Sequence, residues 1–569
     1  MKRNYLTLAG LLVYLCSQAQ EVTMLVDAKF NQGTPYNLAC PDGCVTGCGP
    51  TAVAEILSRY KMPEHGYGTA PLVIGADTVL VDMEAIGFDW SNILDEYKDG
   101  EYTDAQANAV ANLMFGCGVA MNVNYGPATS VTNYARMIYG LQHNLHMSPD
   151  SRYMHRKNFS TSEWIEIINN QLREGYPVFY RGTWFFNDSR SDHMFVIDGL
   201  NEEGDYHVNF GHGGVNDKFC DINVINQSGS FPGNRGVCYN ASQAMTINLY
   251  PTPDFTNYPL QASVSEEPII LNGDSLLESI QIPLSESFTL SCRLRSCSRE
   301  KTTITFGWAL VKDGEVLDIL GQGRYGLNPG NTFKEASHRT LKLPDKLEDG
   351  DYQLILYSKS TLEDEWKEVW RDAATAVDVT VSNGAATIMI PPNHMLDPEL
   401  YLTEAIKEVD NEFASSVAGR TFRLTISNGT LNNFENSVKL NITADGAEYS
   451  YTTTLPVYSQ TKTVYDILVP AYMCNLDGKQ VSSIKASYYY EVEDRYIEMP
   501  IGDNAQGVER INGEQISGDV YIFDISGRLL TTIKATQVDT RYPDFLNTLT
   551  DGVYVIKEGN NTRKLFLDK

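Results

Sequence analysis

The chain has 569 residues, which is too long for one hydrophobic core and predicts three to five domains. Its formal net charge is −28, from 44 Lys and Arg residues against 72 Asp and Glu residues. This excess of negative charge argues against binding to nucleic acid or to an anionic membrane surface. No stretch after the N-terminal segment is long and apolar enough to span a membrane.

The N-terminus has the layout of a secretory signal peptide. A basic start at Lys2 and Arg3 precedes an apolar run to Leu15, and a small-residue cleavage site follows at Ala19. We therefore expect residues 1–19 to be removed and the mature protein to be secreted or displayed at the cell surface.

The chain has ten cysteines, and nine remain once the one in the signal segment is removed. Nine is an odd number, so at least one thiol stays unpaired or pairs with another chain. The spacing leaves three disulfides open: Cys40 with Cys44, Cys220 with Cys238, and Cys292 with Cys297. A zinc site built from Cys40, Cys44, Cys48 and a histidine is a weaker alternative, because the spacing does not match the usual paired zinc knuckle.

Cys48 lies in a glycine turn that leads directly into a predicted helix. Apolar residues from Val53 to Tyr60 recur at the i, i+3, i+4 and i+7 spacing of one helix face. At a helix start, free main-chain N–H groups and the helix dipole lower a thiol pKa, and the N–H of Cys48 can bind an oxyanion. Taken alone, the pattern favours a structural cysteine, either a buried small hydrophobic residue or half of a disulfide, and a nucleophilic thiol is the alternative.

The pattern of predicted elements divides the chain into several units. Residues 20–250 place helical patterns before strand-like runs, which predicts an α+β domain. Short alternating strands with turn residues between them then predict two β-sandwich (Ig-like) domains, at 260–383 and 385–500. After a polar linker, residues 517–569 contain three strand-like runs joined by glycine turns, which predicts a small all-β unit.

A cysteine nucleophile needs a base, and His193 has the best context among the nine histidines. It follows Cys48 by 145 residues and immediately precedes a strand-like apolar run. Asn209 ends a later strand-like run before a glycine turn and could orient the imidazole of His193. His207 and His212 are rival candidates, and a histidine with only a structural role fits the same pattern.

Seven ordered blocks within residues 20–250 resemble the streptopain family of papain-like cysteine peptidases. The blocks are NQGTPYNL (31–38), TGC (46–48) with its helix, FDWSNIL (88–94), NYGP (124–127), PVFY (177–180), HMFVIDG (193–199) and HVN (207–209). The resemblance implies a papain-like fold with Cys48 as the nucleophile and His193 as the general base and acid. It also implies that Asn209 corresponds to the family's residue beside the histidine.

Several positions depart from the family pattern. The family has Trp where this chain has Phe210 and His212, so the aromatic cover over the catalytic pair must differ. Asp42 stands where a Gln would donate to the oxyanion, and an ionised carboxylate cannot donate. Asp192 replaces a glycine before the catalytic histidine and would raise the histidine pKa if it pointed inward. With Gly47, these residues are the oxyanion and subsite candidates.

The last 50 or so residues resemble the C-terminal sorting domain of the type IX secretion system. The resemblance is carried by VYIFDISGR (520–528), LTDGVYVI (549–556) and KLFL (564–567). It implies export across an outer membrane, with the secretion machinery as a partner. The alternative is a third small sandwich fragment. The catalytic domain is expected to begin almost directly after the signal, so either the enzyme is made without a pro-segment or something else, such as a C-terminal sandwich, blocks the cleft.

The sequence as a whole indicates a secreted cysteine endopeptidase that acts on protein or peptide substrates. The proposed chemistry needs no cofactor and no metal. Two alternatives remain at this point. One is a catalytically weak or inactive pseudoprotease that serves as a secreted protein-binding module. The other is a thiol acyl transferase or amidase with the same fold.

Overall fold

A computed structural model describes residues 22–502, with short internal gaps, and the backbone of four strands beyond residue 502. The gaps are at 75–76, 128–129, 133, 187–188, 228–237, 253–262, 266–268, 275–276, 297–300, 329–330, 362–363, 372–375, 392, 396–397 and 411–417. The predicted signal peptide lies outside the described residues. No helix among the described residues is long and apolar enough to cross a membrane.

The N-terminal region mixes helices with one large antiparallel sheet, as the sequence predicts. Its helices are α1 (Cys48–Tyr60), α2 (Asp104–Ala120), α3 (Tyr134–Leu145) and α4 (Thr161–Arg173). Its strands are β1 (Thr69–Ile74), β2 (Asp77–Asp82), β3 (Arg152–His155), β4 (Val178–Phe186), β5 (Ser189–Leu200), β6 (Tyr206–Asn209), β7 (Lys218–Cys220) and β8 (Ala241–Ile247). Strands β1 and β2 form a hairpin, and the other six pair in the order β3-β8-β4-β5-β6-β7. Short 3-10 helices cover Pro41–Gly43, Met83–Ala85 and Arg156–Asn158.

Local sequence signals explain where the helices begin. Helix α2 starts at a capping box in which Thr103 and Gln106 each bond the other's main-chain N–H. Helix α4 starts at the same arrangement between Ser160 and Glu163. Helix α1 has no side-chain cap, and the glycine before it makes the turn instead.

Strand β5 lies between β4 and β6, and its side chains contribute to both faces of the sheet. Met194 and Val196 pack against the cluster that includes α1 and α2, whereas Phe195 packs against the cluster that includes α4. This alternation follows from the two-residue period of a strand. It places residue 193 on the same face as Phe195 and residue 192 on the opposite face.

The first β unit covers residues 263–390 and encloses one core around the fully buried Trp308. Its strands are β9 (Ser263–Ser265), β10 (Ile270–Leu271), β11 (Ser279–Pro283), β12 (Ser287–Cys292), β13 (Leu294–Ser296), β14 (Thr302–Lys312), β15 (Glu315–Leu327), β16 (Ser337–Lys342), β17 (Gly350–Ser360), β18 (Lys367–Glu368), β19 (Trp370–Arg371), β20 (Val377–Ser382) and β21 (Ala385–Met389). They form sheets ordered β10-β12-β16, β13-β9-β19 and β11-β21-β20-β17-β14-β15, with β18 on β17.

The second β unit covers residues 400–501 and has two four-stranded sheets around a second core. Its strands are β22 (Leu400–Leu402), β23 (Lys407–Val409), β24 (Gly419–Asn428), β25 (Phe434–Ala444), β26 (Ala447–Val457), β27 (Thr461–Pro470), β28 (Val481–Tyr490) and β29 (Arg495–Glu498). One sheet joins β22, β23 and β27 to β24, and the other runs β26-β25-β28-β29. A short 3-10 helix lies at Glu491–Glu493.

Four further strands lie beyond residue 502. They are β30 (Val520–Asp524), β31 (Leu529–Ile533), β32 (Gly552–Glu558) and β33 (Asn561–Leu567), paired in the order β31-β30-β32-β33. The remainder of the chain after the N-terminal region is therefore largely β-sheet. The sorting-domain resemblance stays a prediction.

The disulfide predictions are wrong for the described cysteines. Cys40 and Cys44 are separate buried thiols, and so are Cys220 and Cys238. Cys292 is also a thiol, while its predicted partner lies outside the described residues. Burial raises the pKa of the Cys40 thiol to about 11, so this thiol is protonated at neutral pH. Among the described residues no group of three or more His, Cys, Asp and Glu side chains is placed to hold a metal ion.

Candidate active site

Cys48 is the first residue of α1, and a turn at the preceding glycine positions it at the start of the helix. Gly47 has a φ of +91°, and a Cβ on it would lie 3.0 Å from both the Cβ and the carbonyl oxygen of Ser130. Only glycine therefore fits this position without strain. The Thr51 hydroxyl donates to the Gly47 carbonyl at 2.9 Å, and Ser130 donates to the Val45 carbonyl at 2.7 Å. These bonds fix the turn from both sides.

The Cys48 thiol lies at the junction of α1 and β5. Burial raises its pKa, and main-chain hydrogen bonds from Met194, Gly49 and Cys48 itself act in the opposite direction. The predicted lowering of the thiol pKa is therefore wrong in direction, because desolvation outweighs the helix-start N–H groups. Met194 immediately follows His193 in β5, so the thiol contacts the residue next to the predicted base.

His193 is buried on β5, and its Nε2 is 2.9 Å from the Phe210 carbonyl oxygen. A carbonyl oxygen can only accept, so Nε2 carries the proton and Nδ1 is the basic nitrogen of the neutral ring. Burial and the nearby His212 lower the pKa of His193 to about 4, although the bond to Phe210 acts in the opposite direction. The imidazole is thus held neutral and in one orientation.

Asn209 contributes to this orientation through the main chain. Its side-chain amide donates to the Ala28 carbonyl at 2.8 Å, and its Oδ1 accepts from the Gly211 N–H at 3.0 Å. The second bond closes an Asx turn over Phe210, whose carbonyl holds the His193 ring. The link from Asn209 to His193 therefore runs through the main chain of Phe210.

Asp192 points away from the imidazole. Its carboxylate accepts from Arg181 at 2.8 Å and from Arg190 at 3.1 Å, and it also bonds the Thr183 hydroxyl. Burial opposes ionisation of Asp192, but the hydroxyl and the two guanidinium groups outweigh it and lower its pKa. Asp192 therefore does not form the inward contact that would raise the pKa of His193, because adjacent residues of a strand face opposite sides.

His212 covers the imidazole of His193 in place of the family's tryptophan. The two rings are stacked with centroids 4.9 Å apart and an interplanar angle of 15°. The Gln227 amide lies 2.6 Å from Nδ1 of His212, and its carbonyl oxygen accepts from the Tyr239 hydroxyl at 3.3 Å. The fully buried Phe210 ring is more distant from His193, at 6.5 Å. The aromatic cover therefore includes a second, titratable imidazole.

Tyr239 completes the site and was not found from the sequence. Its ring lies 5.0 Å from that of His193, and its main chain passes over Gly182 of β4. A Cβ on Gly182 would lie 2.2 Å from the Tyr239 carbonyl oxygen, so a side chain there would displace Tyr239. The residues around 239 carry no motif, and only the tertiary fold reveals their role.

The remaining sequence candidates take other positions. Asp42 is exposed on the short helix Pro41–Gly43, with a φ of +50°. The rival base His207 is bound by the buried Asp198 at 2.6 Å and therefore belongs to a separate contact. Of the three histidines considered, the structure places His193 next to Met194, whose main chain contacts the Cys48 thiol, and His212 over His193.

The N-terminal region matches a known peptidase family and several known proteins. Residues 30–220 match the Peptidase C10 family. Streptopain of Streptococcus pyogenes is 28% identical over 255 residues, which covers 40% of this chain and 63% of streptopain. The chain thus spans less than two thirds of the length of these streptopain relatives. The thiol protease/hemagglutinin PrtT of Porphyromonas gingivalis is 26% identical over 261 residues, covering 43% of this chain and 30% of that protein.

A solved structure is also similar to the N-terminal region. Active wild-type interpain A, a cysteine protease of Prevotella intermedia, is 33% identical. The match covers 40% of this chain and 95% of the interpain A chain, with a TM-score of 0.38.

Proposed function

Because residues 30–220 are a streptopain-like segment of the papain-like cysteine peptidases, we propose that this protein is a cysteine endopeptidase whose nucleophile is Cys48 and whose base is His193. The observation that carries the proposal is the contact of the Cys48 thiol with the main chain of Met194, next to the oriented imidazole. The substrates are proteins or peptides.

The proton positions suggest how the reaction starts. With the thiol pKa raised and the imidazole pKa lowered, the resting pair is mainly a thiol and a neutral imidazole. As Cys48 sulfur attacks the peptide carbonyl, Nδ1 of His193 takes the thiol proton, which is general-base catalysis. The bond from Nε2 to the Phe210 carbonyl strengthens when the ring becomes positive.

The remaining steps return every group to its starting state. The carbon–nitrogen bond breaks, His193 gives its proton to the leaving amine, and a thioester on Cys48 remains. A water molecule then attacks the thioester while His193 takes one of its protons, and the carbon–sulfur bond breaks. The released carboxylic acid and the reprotonated Cys48 complete the cycle.

The oxyanion in this mechanism is bound by the main-chain N–H of Cys48. An Asp at position 42 supplies no amide donor, and removing one such donor typically costs about 100- to 1000-fold in rate. We therefore propose a slower peptidase than a family member that has the glutamine. Asp42→Gln is the direct test of this point.

We also propose that the protein is exported. The signal-like segment 1–19 and the C-terminal resemblance at 517–569 support export across an outer membrane, with the secretion machinery as a partner. The peptidase domain would cover 20–250, and the β regions 260–383 and 385–500 would be Ig-like sandwiches. Cell fractionation with and without residues 517–569 tests the export proposal.

The activity test compares three forms of the full chain on casein. Wild-type protein and Cys474→Ala should cleave casein, whereas Cys48→Ala should not. Cys474 is a matched control, because it is also a free cysteine, buried in the second β unit and distant from the site. Cleavage that survives Cys48→Ala, or a folded wild-type protein that cleaves nothing, would contradict the proposal.

A further inference from the structure

The second β unit contacts the peptidase region through buried polar side chains at one end of its sheets. Tyr458 and Ser459, between β26 and β27, are buried, and so is Asn433 before β25. On the peptidase side the contact involves the short helix Arg156–Asn158, the start of α4 and the start of β8. Buried polar groups at a domain contact need fixed partners, which distinguishes this contact from a loose one.

The second β unit covers the side chain of Arg156 in the peptidase region and shields it from solvent. Its guanidinium is fully buried and donates to the Ile222 carbonyl at 3.1 Å and to Gln243 at 2.6 Å. The guanidinium carbon lies 3.7 Å from the centre of the Tyr458 ring. A desolvated cation over an aromatic ring is a favourable contact. Undocking would expose this charged group together with the Tyr458 ring.

Main-chain groups of the peptidase region also have their partners in the second β unit. The side-chain amide of Asn433 donates to the Phe159 carbonyl at 2.8 Å and to the Lys157 carbonyl at 3.1 Å. Ser459 accepts from the Thr161 N–H at 2.7 Å. Thr161 is the first residue of α4, where a helix leaves its N–H groups without partners of their own. The second β unit therefore completes the start of this helix.

The same contact reaches the wall of the active site. The Tyr458 hydroxyl donates to the Asn240 carbonyl at 2.6 Å. Glu435 accepts from both the N–H and the hydroxyl of Ser242, at 2.8 Å and 2.6 Å, where the backbone has a φ of +45°. Asn240 directly follows Tyr239, whose ring lies against His193. Segment 239–242 is thus held on one side by the active site and on the other by the second β unit.

We propose that the second β unit is a docked, permanent part of the peptidase, and that Tyr458 and Glu435 are positioning residues that hold segment 239–242 against His193. The inference rests on the proposed function for its effect on catalysis, but not for the docking. It predicts that the catalytic region and residues 400–501 stay docked to each other during catalysis.

The test uses the full chain and substitutions that remove single contacts. Tyr458→Phe removes only the hydroxyl that bonds Asn240, and Glu435→Ala removes the acceptor of Ser242. Tyr472→Phe is the matched control, because Tyr472 is 73% exposed on the same unit. We expect kcat for a chromogenic peptide to fall about fivefold in each test variant, the change that one net hydrogen bond makes to an equilibrium. KM should change by less than about twofold, because the substrate contacts are kept.

A rescue and an exchange measurement separate positioning from a general loss of fold. Glu435→Gln keeps an acceptor for Ser242 and should recover most of the activity lost in Glu435→Ala. Hydrogen exchange of the amides in 239–242 should quicken in Glu435→Ala and stay unchanged in Tyr472→Phe. Unchanged kcat and unchanged exchange in both test variants would overturn the inference. If the wild-type chain cleaves nothing, the proposed function fails, while the exchange result still decides the docking.

Discussion

Replacing the stacked imidazole is the most informative perturbation of the site. His212→Phe keeps an aromatic ring over His193 and removes the only part of the cover that can become positive. Because His212 lowers the pKa of His193, its removal should raise that pKa. The acid limb of kcat/KM reports the base of the free enzyme, so the limb should move to higher pH.

The size of the shift follows from the separation of the rings. At the 4.9 Å between centroids, two unit charges repel by about 3 kcal/mol at an effective dielectric constant of about 20. That energy corresponds to about 2 pKa units. His212 is only half-buried, so water screens part of this repulsion, and we expect an upward shift of about one unit.

The assay is a kcat/KM profile for a peptide substrate from about pH 3 to pH 8, so that it includes the His193 pKa of about 4. His338→Phe is the control, since it removes an exposed histidine of the first β unit. A titration of ¹³C-labelled histidine by NMR reads the two imidazoles directly, and these titrate as a pair. An acid limb that stays in place, or that moves to lower pH, would refute the reasoning.

Three more substitutions test the supports of the site. Gly182→Ala places a methyl group where the Tyr239 carbonyl lies, so both kcat and the thermal unfolding temperature should fall. Asn209→Ala removes two buried hydrogen bonds, and urea unfolding should show a loss of about 2 to 3 kcal/mol together with a lower kcat. Asp192→Asn should lower the unfolding temperature but leave the acid limb in place, since the carboxylate faces away from His193; a limb shifted to lower pH would show that it faces inward after all.

Local sequence patterns were sufficient for the two elements that carry the proposed catalytic residues. The apolar spacing after Cys48 predicts a helix over 51–61, and α1 runs from Cys48 to Tyr60. The apolar run after His193 predicts a strand from 194, and β5 extends through it. These signals are local, because the apolar residues on one face of a helix or strand recur every few residues.

Longer-range effects were not predictable from the sequence. The thiol pKa depends on burial by a strand 145 residues away, and the sequence showed only the helix start that acts in the opposite direction. The hydrogen bond that orients His193 is accepted by a main-chain carbonyl oxygen. Every residue type has such an oxygen, so the sequence does not show which residue supplies it. Tyr458 meets Asn240 across 218 residues, with no pattern at either end. By contrast, the outward direction of Asp192 follows from strand alternation and was available from the sequence.

The central proposal is that Cys48 is a nucleophile because His193 acts as its base. The most direct measurement is labelling of the folded full chain with a thiol-directed epoxide, with the labelled residue identified by mass spectrometry. Among the described cysteines the account predicts one label, at Cys48, since the others are buried, and it predicts loss of that label in His193→Asn. Labelling of Cys48 at the same rate in folded His193→Asn would contradict the account.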